Sequence, residues 1–98
     1  MIYVTHSSRV EAMRITKHLI GKKLVACGNI YPVESVYAWK GKMEEAKEFV
    51  SLLKTKSENW EKAKAEIEHI HPYEVPCIIR IDAGINNKYF KWIKEETK

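Results

Sequence analysis

The sequence predicts an α+β domain, an antiparallel sheet with helices on one face. Three observations predict it: β-rich and helix-periodic segments alternate along the chain, a Lys-Gly-Lys turn joins two long strand patterns, and neither helical pattern is apolar all round. With 98 residues the chain is one domain, 1–98, large enough for a single core but small enough to gain from self-association.

Ile2 to Thr5 is a short apolar β-run that stops at His6-Ser7-Ser8. Ser8-Arg9-Val10-Glu11 then has the S-x-x-E spacing of a capping box, which starts a helix. Ala12, Met13, Thr16, Leu19, Ile20 and Leu24 recur at steps of three and four and form its buried face. From Val25 to Trp39 the pattern is strand, and Pro32 assigns it to a sheet edge or a bulge. Gly41 supplies the positive φ of a hairpin turn, and the strand returns from Met43 to Thr55. A strand of that length outruns the usual five or six residues, so the hairpin is expected to project past its own sheet.

Ser57 is expected to cap a second helix carrying Trp60, Ala63, Ile67 and Ile70 inward and a Glu58–Lys62 pair outward. That helix ends at His71-Pro72-Tyr73-Glu74-Val75-Pro76, where each proline forces the residue before it into extended backbone. Cys77 to Asp82 is a strand apolar on both faces, and a closing helix follows Lys88 with Tyr89, Phe90 and Ile93 inward. Strand, helix, strand, strand, helix, strand is the split βαβ, ferredoxin-like plan, here with an extra C-terminal helix. Because the helices cover one sheet face only, the opposite apolar face calls for a second copy.

Composition excludes several function classes. The net charge is +4, but lysines and glutamates are interspersed and no basic stripe forms, so nucleic acid is not expected as a partner. No apolar run approaches the roughly 20 residues needed for membrane insertion. Without a secretory pattern after Met1, a cytoplasmic protein is expected, and Cys27 and Cys77 are read as reduced thiols rather than a disulfide. At 31% charged residues, mostly Lys and Glu, the surface looks heat-adapted. No P-loop, GxGxxG, HExxH or nucleophile–base motif occurs, so no enzyme is expected. The phosphate loop of acylphosphatases and the stacked aromatics of RNA-binding modules, which use the same plan, are also missing.

The His71-Pro72-Tyr73 loop, together with Leu24-Val25-Ala26-Cys27-Gly28-Asn29-Ile30, the Ser35 to Glu44 hairpin segment and Leu53-Lys54-Thr55, resembles the CutA family of divalent-cation tolerance proteins over nearly the whole chain. Taken alone, His71 reads first as a helix-end donor to backbone carbonyls and only second as a metal ligand. The resemblance implies a PII-like homotrimer that binds Cu(II) or another divalent cation weakly, with His71 as principal ligand and Cys27 as a soft second one. It also implies that Trp39, Glu44, Glu48, Lys54, Tyr73 and Glu74 gather in a cleft between subunits, as ligand site or as inter-subunit contacts. An unidentified protein partner would read its state. The alternative function is a signalling or scaffold trimer that holds a small anionic metabolite in that cleft through Lys54.

Overall fold

The computed structural model describes residues 1–98, and its first helix starts where a hydroxyl is available. Ser8 is extended and its Oγ accepts the Glu11 amide at 3.1 Å, so α1 spans Arg9–Gly21 after strand β1, Ile2–His6. Only half of the capping box forms, because the Glu11 carboxylate turns to Arg14 at 2.7 Å. The buried side of α1 is Ala12, Ile15, Thr16 and Leu19; Met13 is half-buried and Ile20 exposed, a stripe rotated from the expected one. At Gly28 a Cβ would come within 2.8 Å of both Leu53 Cδ2 and Thr16 Cγ2, which is how closely the helix seats on the sheet.

Strands β2, Cys27–Trp39, and β3, Lys42–Lys54, form a hairpin paired along its whole length, from Cys27 opposite Lys54 to Trp39 opposite Lys42. Both turn residues have positive φ, 51° at Lys40 and 80° at Gly41, as a two-residue turn matched to strand twist requires. A 3-10 turn, Ser57–Asn59, leads into α2, Trp60–Ile70. The expected Ser57 cap is not made, since its hydroxyl donates to the Glu58 carboxylate, and the ion pair on this helix joins Lys64 to Glu61 instead of Lys62 to Glu58. Strand β4 is short, Ile78–Arg80, and α3 covers Asn87–Glu96 with Ile93 buried but Phe90 exposed.

The sheet order is β2-β3-β1-β4, all antiparallel, the ferredoxin-like arrangement. Pro32 lies on the edge strand β2, where its missing N–H costs no ladder bond. Cys27 begins the strand at one edge and Cys77 precedes the strand at the other, and both thiols are free. One face carries Ile2, Val4 and Leu53 against Ile15, Leu19, Ala63 and Ile67 of α1 and α2. Only residues 49–53 of β3 pair with β1, so the rest of the hairpin projects from the body and stretches the molecule to 45 × 25 × 22 Å.

Candidate functional site

Between the two prolines the chain leaves α2 and returns toward β4 along the base of the projecting hairpin. His71 is extended, with φ −77° and ψ 132°, as the following proline demands. Its Nε2 donates to the Thr5 carbonyl at 2.8 Å and its Nδ1 accepts the Tyr73 amide at 3.1 Å. A carbonyl can only accept and an amide can only donate, so the imidazole proton sits on Nε2. The ring also stacks on His6 at 5.3 Å and meets the edge of Tyr73 at 4.6 Å. His6 is wholly buried, within 2.8 Å of Ser51 Oγ through Nε2, while its Nδ1 has no partner. Burial, reinforced by neighbouring His71, pushes the His6 pKa down to about 4. Two stacked histidines thus hold the loop against the end of β1.

In front of that latch is an open cleft of about 810 Å³. Its walls are Tyr3 and Thr5 of β1, residues 35–39 of β2, Ala46, Lys47 and Glu48 of β3, and Tyr73, Glu74, Val75 and Cys77 of the loop. The Tyr73 hydroxyl donates to Glu48 Oε2 at 2.6 Å, tying loop to hairpin. Burial and then this bond raise the Tyr73 pKa, so the phenol stays protonated. Burial also raises the Cys77 thiol, which disfavours the thiolate a nucleophile or metal ligand would need. Beside the cleft, Lys40 Nζ lies 5.6 Å above the Trp39 ring. The arrangement can enclose a small molecule between aromatic rings and carboxylates; neither His6 nor His71 lines it.

Of the residues singled out from sequence, Trp39, Glu48, Tyr73 and Glu74 meet in this cleft. Glu44 lies opposite Tyr37 on the hairpin, just outside the lining. Lys54 is at the far end of β3, opposite Cys27, and the cleft does not include it. Cys27 in turn is 3.1 Å from the Tyr89 hydroxyl, whereas His71 is held against Thr5, so the two expected ligands are not brought together. No group of three or more His, Cys, Asp or Glu side chains in the chain is positioned to hold a metal ion. Sequence reasoning missed Tyr3, Tyr37 and Cys77 as lining residues. Strand alternation sets Tyr37 on the face of Trp39, a signal available in the sequence, but Tyr3 and Cys77 join only through the β1–β4 register.

A family model described as CutA1 divalent ion tolerance protein matches residues 1–96. The divalent-cation tolerance protein CutA of Pyrococcus horikoshii is 42% identical over 100% of this chain and 97% of its own length. The crystal structure of CutA1 from Pyrococcus horikoshii superimposes with a TM-score of 0.95 at 42% identity, covering 99% of this chain and 96% of that one. The PII-like protein CutA from Nostoc sp. PCC 7120, in apo form, gives a TM-score of 0.91 at 32% identity over 99% of this chain and 96% of that one.

Proposed function

Because this chain belongs to the CutA1 family of divalent ion tolerance proteins, we propose that it acts in divalent-cation tolerance, copper foremost, as a homotrimer without catalytic activity. The observation that carries the assembly is the projecting hairpin, whose Val36, Tyr37, Trp39 and Met43 remain exposed on a single chain. Copper binds weakly in this reading. Coordination at His71 Nδ1 has to displace the Tyr73 amide, and Cys27 is a separate soft donor engaged with Tyr89. Titration of Cu(II) into the purified, reduced oligomer is expected to give weak saturable binding that falls several-fold in His71→Ala. An unchanged isotherm in that variant removes His71 from the site. We assign the protein to the cytoplasm, where the free Cys27 and Cys77 stay reduced, and cell fractionation checks this.

The cleft favours a second reading, a PII-like signalling or scaffold trimer that responds to a small ligand there. A volume of about 810 Å³ falls within the range of ordinary ligand sites. A calorimetric screen of metals and small metabolites on the same preparation separates the two readings, since a tolerance protein should bind a soft divalent ion and a metabolite sensor need not.

A further inference from the structure

The loop between the two prolines is held through one residue. From Pro72 to Pro76 the chain makes two hydrogen bonds, both by Tyr73: its amide donates to His71 Nδ1 at 3.1 Å and its hydroxyl to Glu48 Oε2 at 2.6 Å. Glu74 and Val75 are exposed, and each proline fixes its own φ, so few backbone bonds in the loop can turn independently. A displacement of the Tyr73 amide is therefore passed to its ring, whose edge already meets the His71 imidazole at 4.6 Å. One end of Tyr73 rests on the histidine behind the cleft wall and the other on the hairpin that forms the opposite wall.

Tautomer chemistry decides which imidazole nitrogen an ion can take. At Nε2 it would break the bond to the Thr5 carbonyl and drive the ring proton to Nδ1, where it would face the Tyr73 N–H, donor against donor. At Nδ1 the ion meets a lone pair, leaves the Thr5 bond intact and displaces only the Tyr73 amide. His6 does not share the ion, because its ring is stacked on that of His71 at 18°, and the in-plane lone pairs of stacked rings run side by side instead of converging. Entry of an ion is therefore resisted at Tyr73.

We propose that a divalent ion at His71 Nδ1 draws Tyr73 off Glu48, so that the metal-free loop is pinned to the hairpin and the metal-bound loop is released. This rests on the reading of His71 as the copper ligand, and adds how its occupancy reaches the cleft, whose wall includes Tyr73, Glu74 and Val75. Coupling between two sites is reciprocal, so whatever breaks the Tyr73–Glu48 bond must tighten the metal.

The test is the Cu(II) titration of the reduced, full-length oligomer, repeated on Tyr73→Phe and Glu48→Gln with His71→Ala as the control. Phenylalanine keeps the ring and the amide and loses only the hydroxyl, while glutamine keeps the shape of glutamate and weakens the acceptor. Tyr73→Phe is expected to bind Cu(II) about tenfold more tightly than the parent, as the loss of a hydrogen bond to a charged group from the metal-free state alone implies, and Glu48→Gln by a smaller factor. Hydrogen exchange gives a second readout: the amides of Tyr73, Glu74 and Val75 should exchange faster in the parent with Cu(II) than without it, and should already be fast in Tyr73→Phe. Unchanged affinity in both variants, or loop exchange slowed by Cu(II), overturns the inference and leaves His71 as the ligand. Weaker binding in either variant also overturns it, since Tyr73 or Glu48 would then be a donor to the ion. If His71→Ala binds as the parent does, the ligand reading and the inference fall together.

Discussion

The two halves of the β2–β3 hairpin share one uninterrupted ladder and live in opposite surroundings. Where β3 lies against β1, Val50, Ser51 and Leu53 are fully buried. Where it projects, Val36 is 63% and Met43 82% exposed, although the backbone pairing is as regular. The β2–β3 ladder is therefore continuous through both halves, but only in the inner half does β3 gain a second partner strand, β1, and buried side chains. The inner half is stabilised within the chain by α1 and α2, while the outer half has apolar surface whose burial must come from another molecule. The cleft forms where the halves meet, with the inner sheet supplying Tyr3 and Thr5 and the projection supplying Tyr37 and Trp39.

This contrast can be broken by substitution. Leu53→Ala in the inner half should cost about 2–5 kcal/mol, seen as a lower denaturant midpoint, because Leu53 belongs to the buried cluster on the helix-covered face. A loss below about 1 kcal/mol would mean that the core collapses around the gap.

The histidine latch behind the cleft adds a pH term. The folded His6 pKa is held at about 4, below its ordinary 6.5, so the unfolded chain takes up the proton first. Its contribution is full above 6.5 and declines as pH falls toward 4, by up to about 3 kcal/mol per chain. Urea midpoints at neutral and acid pH should converge in His6→Asn relative to the parent. An equally steep fall in that variant would put the acid sensitivity in other groups.

In the outer half, Trp39→Ala should leave the inner fold intact and weaken self-association by at least about 2 kcal/mol, as truncation of a buried interface aromatic does. Sedimentation velocity over a dilution series checks this, and a variant that dissociates no more readily than the parent removes Trp39 from the interface.

What could be read from sequence follows the range of the forces involved. The start of α1 was readable because Ser8 and the amide it caps are three residues apart. So was the edge position of β2, because Pro32 acts on its own backbone. The start of α2 was misjudged because the Ser57 hydroxyl had a closer acceptor in the Glu58 side chain. The α1 stripe was rotated: Ile15 joins Ala12, Thr16 and Leu19 in the core and Met13 and Ile20 leave it, with Thr16 seated on Gly28. In the cleft, Trp39, Glu48, Tyr73 and Glu74 came from the family resemblance. The His6–His71 stack joins residues too distant in the chain for spacing to reveal, and the register carries Lys54 away with Cys27.

The assembly through the projecting hairpin is tested most directly by sedimentation equilibrium of the purified chain at micromolar concentration. The homotrimer proposed above, with Val36, Tyr37, Trp39 and Met43 buried between copies, predicts a particle of three 11.5 kDa chains with no folded monomer in exchange. A stable, folded species of 11.5 kDa would contradict it, because the outer half of the hairpin would then persist in water without a partner.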